Sequence, residues 1–287
     1  MPKGLYMWHT PKTGGLAISV IMMVLRGRQE FSVFPNYNPN LGFDPSFDYS
    51  YIQAHYGTLP VDKNPELDTA ILIRDPLDRS VSNFIWLYME NVLTDMEPYK
   101  SIDSMEDRLR HYLFEDQTFL MHRNMQTRFL SNGIAEETVN FLHGTDKTTP
   151  IADDTSHPNI YIHWYIPDNN TSIESAKSQI DRATILGVTD NHDQFTEQVL
   201  NWFKSNYDLD LSEIYYAELE RLKNSKSMIA GRDLDPYLNF STYTDSDGTT
   251  YTTQSLKSLL TQDDIDQIYA NNSLDLELYN YAKEKLQ

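Results

Sequence analysis

Blocks of apolar and polar positions divide the chain into strand–loop–helix units. Gly4 to His9 reads as a first strand. It breaks at Thr10-Pro11-Lys12-Thr13-Gly14-Gly15 and passes straight into the apolar run Leu16 to Leu25, which has the length and character of a buried helix. Residues 35–48, rich in Pro, Asn and Asp, predict a loop. Tyr51-Ile52-Gln53-Ala54 is a short strand. Thr69 to Ile73 is continuously apolar, as a central parallel strand covered on both faces must be. Pro76 then opens a helix toward Glu90, because proline suits the first helical turn.

Further along, residues 103–143 read as helical. Residues 145–170 are turn-rich around the aromatic island Tyr161-Ile162-His163-Trp164-Tyr165. Ser172 to Arg182 predicts a helix, Ala183 to Val188 a strand and Asp190 to Tyr207 a helix. Thr and Tyr alternate with polar residues around Asp247-Gly248, the signature of a hairpin within 239–254. Leu256 to Gln287 is mostly helical. Buried strands that alternate with helices imply a single α/β domain over residues 1–287, three layers deep, with a central parallel sheet flanked by helices. Loops 145–170 and 233–253 read as variable insertions. Ligands are expected at the carboxyl ends of the strands.

Composition narrows the chemistry. The 287 residues contain no cysteine, which excludes a disulfide scaffold, a thiolate nucleophile and an iron–sulfur cluster. The net charge of −19 opposes nonspecific binding to nucleic acid or anionic membranes. No apolar run approaches the roughly 18–20 residues that span a bilayer, and no signal-peptide core precedes the first strand, so a cytoplasmic protein is expected. The charge is uneven. Residues 1–90 carry seven basic and nine acidic side chains, so nearly all of the excess negative charge lies downstream. Local positive potential in the first third suits an anionic ligand.

Two segments supply that potential. In Pro11-Lys12-Thr13-Gly14-Gly15 two glycines let the backbone approach a ligand closely, a helix start offers free N–H groups, and Lys12 adds a point charge. The segment would equally serve as an ordinary tight turn with an exposed lysine. It lacks the Gly-Lys-Ser/Thr order that holds Mg²⁺ in a nucleoside-triphosphate kinase. In the second segment, Arg74 ends the central strand, Asp75-Pro76 turns the chain, and Ser82 follows two helical turns on. A planar guanidinium with a hydroxyl suits a second phosphate. Alternatively, Arg74 pairs with Asp75 or Asp78 and Ser82 packs within its helix.

Pro11-Lys12-Thr13-Gly14-Gly15 followed by Arg74-Asp75-Pro76-x-x-Arg79-x-x-Ser82-x-Phe84 resembles the two cofactor signatures of the sulfotransferases that use 3′-phosphoadenosine 5′-phosphosulfate (PAPS). Asn124 to Leu130 resembles a segment of the carbohydrate branch of that family, Ile185 to Asp190 its late strand, and Asn272-x-x-Asp275-x-x-Leu278-Tyr279 its C-terminal helix. Together these cover roughly residues 5–285. The resemblance implies a P-loop-like fold, a 5′-phosphosulfate loop formed by Pro11, Lys12, Thr13, Gly14, Gly15 and Leu16, and a 3′-phosphate site at Arg74 and Ser82. Arg128 and Lys226 are further candidate nucleotide contacts. The family usually has Ser or Thr just after the two small loop residues. Here Leu16 and Ala17 stand there, leaving backbone N–H groups and Lys12 to hold the 5′-phosphate.

The resemblance also assigns the chemistry. Lys12 would stabilise the departing nucleotide. His55, after the strand Tyr51–Ala54, sits in a segment similar to the catalytic-histidine segment of the glycan 2-O-sulfotransferases and would take the acceptor's proton, with Glu30 as the other candidate base. No metal is required. The acceptor would be a hydroxyl of a neutral glycan, a lipid-like alcohol or a small metabolite. A P-loop-type kinase and a non-catalytic nucleotide-binding protein are the competing readings; the second is motivated by Leu16 and Ala17.

Overall fold

The computed structural model describes residues 4–8, 10, 12–14, 20–21, 24–25, 33–34, 51–54, 67–89, 93, 98–116, 123–131, 171–224, 242–245 and 247–287. Five strands form one sheet: β1 (Leu5–Trp8), β2 (Val33–Phe34), β3 (Tyr51–Ala54), β4 (Asp68–Ile73) and β5 (Ile185–Val188), in spatial order β2-β3-β1-β4-β5. Every pairing in it is parallel. The chain is therefore an α/β protein with β1 and β4 at the centre, as their unbroken apolar runs require. β2 escaped the sequence pattern because its paired stretch is only two residues long.

The register explains how one apolar run feeds two cores. Met7 lies beside Ala70 and Trp8 beside Ile71. Side chains alternate across a strand, so Leu5, Met7, Ala70 and Leu72 join one cluster with Val20, Ile21, Leu25, Phe195, Val199 and Phe203. Tyr6, Trp8, Ile71 and Ile73 join another with Phe129, Leu130, Ala176, Ile180, Leu278 and Ala282. A third cluster is built around the helix α1 (Pro76–Met89), with Leu109, Tyr112, Leu256 and Ile268 against it.

The other helices follow the expected pattern with local differences. The region 103–143 is not one helix in its described part: α2 (Met105–Phe114) is capped by Ser104, whose hydroxyl accepts from the Asp107 N–H, and α3 spans Met125–Leu130. Asn124, with φ +51, turns the chain into α3. Then come α4 (Ile173–Arg182), α5 (His192–Tyr207) and α6 (Ser212–Asn224). The hairpin forms as predicted, Thr242–Thr244 against Thr250–Thr252, with Gly248 at φ +84 in its turn. Three helices close the chain: α7 (Thr253–Lys257), α8 (Gln262–Asn271) and α9 (Ser273–Lys285). Among the described residues no helix is long and apolar enough to cross a membrane. The predicted loop at 35–48 and the whole region 145–170, with its aromatic island 161–165, lie outside the described residues.

Helix α5 sits unusually close to the sheet because of Gly187 in β5. A Cβ built on Gly187 would stand 2.5 Å from Phe195 Cδ2 and 2.8 Å from Phe195 Cβ. At the other end of the helix, Trp202 Nε1 donates to Asp68 Oδ2 at 2.9 Å, tying α5 to the start of β4. Gly187→Ala should therefore destabilise the fold by about 1–3 kcal/mol, the usual cost of overpacking a filled core. A urea titration checks this, with the midpoint falling at unchanged slope.

Candidate functional site

The carboxyl ends of β1, β4 and β5 lie side by side, and the phosphate-loop candidate follows the first of them. The loop backbone is strained. Lys12 has φ +67, a left-handed conformation that costs a non-glycine residue about 1–2 kcal/mol, and Gly14 has φ +85. Three side chains hold it there. Thr13 is buried and its hydroxyl donates to the Thr10 carbonyl at 2.7 Å. Arg74 Nη1 donates to the Lys12 carbonyl at 2.9 Å. His192 Nε2 lies 3.2 Å from the Gly14 carbonyl.

Arg74 is itself held by its backbone. The side-chain amide of Gln126 pairs with both polar groups of the residue: Arg74 N–H donates to Gln126 Oε1 at 2.8 Å, and Gln126 Nε2 donates to the Arg74 carbonyl at 2.7 Å. Asp75 turns away from Arg74 to cap α1, its Oδ1 accepting from the N–H groups of Leu77 and Asp78, while Oδ2 accepts from the Tyr269 hydroxyl. Asp78 pairs with Lys257. The two carboxylates closest in sequence are thus engaged elsewhere, and the guanidinium is directed to the loop.

Gln126 is positioned by an exchange between two helix starts. The carboxylate of Asp275, fully buried at 0 % exposure, accepts from the N–H groups of Gln126 and Thr127 and from the Thr127 hydroxyl, at 3.1, 2.8 and 2.9 Å. In return, Asn124 Oδ1 accepts from the N–H groups of Leu274 and Asp275 at the start of α9, and Asn272 Oδ1 accepts from the Asn124 N–H. Each helix start satisfies the orphan donors of the other. Arg79, also at 0 % exposure, lies 3.9 Å from Asp275 and donates to Met125 Sδ.

Electrostatically the loop is a place where positive charge is half-buried. Burial, reinforced by the Arg74 charge, pulls the Lys12 ammonium down to about 7. Its Nζ stands 5.9 Å from the centre of the Trp86 ring. Burial likewise opposes the charge of Arg74. Beside Arg74 a cleft of about 190 Å³ is lined by Asp78, Thr189 and Asp190. Asp190 Oδ2 accepts from the Tyr279 hydroxyl at 2.7 Å and from Lys283 at 3.2 Å.

The fold thus brings Lys12, Thr13, Gly14 and Arg74 together. Ser82 is buried in α1 and does not line the cleft with Arg74. Arg128 is also buried, at 6 % exposure, and is not on a solvated helix face. Pro11, Gly15, Leu16, Ala17, Glu30, His55 and Lys226 lie outside the described residues; the backbone of β3, which His55 follows, pairs with β1 in parallel register. Sequence reasoning gave no role to His192. Its place just beyond the carboxyl end of β5, on the expected ligand rim, was the available signal.

Two outcomes are expected. Asp275→Ala removes the partner of a buried cation and of two helix N–H groups, and should destabilise the fold by about 3–5 kcal/mol in chemical denaturation; Asp275→Asn, which keeps an acceptor, should cost less. Lys12 should leave a pH signature. Unfolded, its amine titrates at the ordinary 10.5, so between about pH 7 and 10.5 the unfolded state binds more protons. Stability of the ligand-free chain relative to Lys12→Met should rise with pH through that window, and the penalty should be complete below it. Denaturation midpoints of the two proteins across pH check this; a constant difference means the amine stays hydrated. No protein-family model matches the chain, and no curated protein does either.

Proposed function

We propose that the protein is a sulfotransferase of P-loop-like, three-layer architecture that moves a sulfuryl group from PAPS to a hydroxyl. One observation carries the reading: the guanidinium of Arg74 donates to the carbonyl of Lys12. This bond joins the two segments that resemble the PAPS signatures, 62 residues apart in sequence, into one cationic surface at the carboxyl rim of a parallel sheet. That rim is where open α/β sheets bind ligands. Two half-buried cations are stabilised by an anion, and a nucleotide bearing 5′ and 3′ phosphates supplies one for each.

In this reading the loop from Pro11 to Leu16 receives the 5′-phosphosulfate, and Arg74, with Ser82, Arg128 and Lys226 as further candidates, the 3′-phosphate. The acceptor oxygen attacks sulfur in line. A bond from that oxygen to sulfur forms as the bond from sulfur to the 5′-phosphate oxygen breaks. His55 takes the hydroxyl proton, and Lys12 stabilises the charge that develops on the departing phosphate oxygen. The excess negative charge, nearly all of it carried by residues 91–287, favours an uncharged acceptor: a neutral glycan, a lipid-like alcohol or a small metabolite.

Calorimetry tests the nucleotide assignment. Adenosine 3′,5′-bisphosphate should bind and ATP should bind poorly. Arg74→Ala should weaken the bisphosphate about ten- to a hundredfold, the range for loss of a charged hydrogen-bond partner. Equal affinity with and without the 3′-phosphate would remove the basis for the assignment. For catalysis, His55→Ala should lower kcat about 10²–10⁴-fold while leaving nucleotide affinity nearly unchanged, whereas Lys12→Ala should impair both. Steady-state kinetics with mass detection of the sulfated product makes the comparison. Retained activity in His55→Ala with loss in Glu30→Gln would move the base to Glu30.

A further inference from the structure

We propose that His192 is a positioning residue for the 5′-phosphate loop, setting the direction of the Gly14 carbonyl. The inference rests on the sulfotransferase reading of that loop. His192 is the first residue of α5, and α5 is fixed independently by Phe195 against Gly187 and by Trp202 on Asp68. The imidazole therefore reaches the loop from a rigid support.

The atoms define its role. The Gly14 carbonyl can only accept, so Nε2, 3.2 Å away, carries the proton. Nδ1 is then the acceptor nitrogen of the neutral ring, with the Thr196 hydroxyl 3.4 Å from it. Burial, with Arg74 adding to it, lowers the pKa of His192, while the Gly14 carbonyl and Asp193 act in the opposite sense. The ring is thus held neutral with a single hydrogen on the nitrogen that faces the loop.

What this bond controls follows from peptide geometry. In a planar trans peptide the N–H points opposite to the C=O. A donor that captures the Gly14 carbonyl fixes the direction in which that carbonyl points. Glycine at φ +85 tolerates either orientation of its peptide at little cost, so a side chain has to make the choice. Arg74 does the same for the carbonyl of Lys12. With Leu16 and Ala17 in place of the hydroxyl residues, the loop depends on backbone N–H groups to hold the phosphate, which raises the value of fixing their direction.

Calorimetry on the full chain with two probes tests this: adenosine 5′-monophosphate, which engages the 5′ loop, and adenosine 3′-monophosphate, which does not. His192→Leu should bind the 5′-monophosphate about tenfold more weakly than wild type, since a buried carbonyl loses its donor. Binding of the 3′-monophosphate should be unchanged, and His192→Gln, which restores an N–H donor, should recover most of the loss. If His192→Leu does not fold, His192→Phe keeps a ring without a donor and serves in its place. Unchanged affinity for the 5′-monophosphate overturns the proposal, and so does an equal loss for both probes, which would mark His192 as structural only. If wild type binds neither probe nor the bisphosphate, the nucleotide reading fails first and the proposal with it.

Discussion

The site depends on one buried carboxylate. Asp275 sits where two helix starts meet, and its oxygens take the N–H groups of Gln126 and Thr127 that α3 cannot satisfy internally. Without that acceptor the short α3, only six residues long, is left with two buried N–H groups unpaired at its start. Gln126 rides on α3 and grips the Arg74 peptide by both its donor and its acceptor. Arg74 in turn grips the Lys12 carbonyl. Geometry thus passes from a buried acid through neutral amides to a strained cationic loop. Each link has partners enough to define a single arrangement.

The same chain of contacts accounts for the electrostatics. The carboxylates near Arg74 favour its charge while having hydrogen-bond or ion-pair partners of their own. Asp75 is turned into a helix cap, Asp78 is paired with Lys257, and Asp190 is engaged by Tyr279 and Lys283. The acids around Arg74 are present but occupied. Burial opposes the charge of Lys12 and Arg74, a condition that an approaching anion relieves.

Much of the fold was legible because β1 and the stretch Ala70–Ile73 of β4 are buried on both faces and so are apolar. The hairpin announced itself through Asp247-Gly248, and α1 through Pro76. The break between α2 and α3 was not visible, since Asn124 reads as an ordinary helical-surface residue until its left-handed backbone and its capping partners 148–151 residues away are seen. The loop and Arg74 were found from residue type and position. That Arg74 also buttresses the loop could not be found, because a hydrogen bond to a backbone carbonyl leaves no mark on residue 12. Gln126 and Asp275 fell within recognisable segments, yet their jobs are structural and depend on contacts made only on folding. Arg128 shows the converse: a charged residue on a short helix suggests solvent, but α3 is packed on all sides.

The exchange between the starts of α3 and α9 also orders events in time. Gln126 and Asp275 are separated by 149 residues, so a chain made from its amino end has β1 to β4 and the loop long before the carboxylate that completes them. Until α9 is made and docks, the sheet can assemble but Gln126 lacks the carboxylate that positions it against the Arg74 backbone. Contacts this distant are slow to form. A nascent chain thus carries the loop's sequence through much of its synthesis before the carboxylate that braces Gln126, and through it the Arg74 backbone, exists.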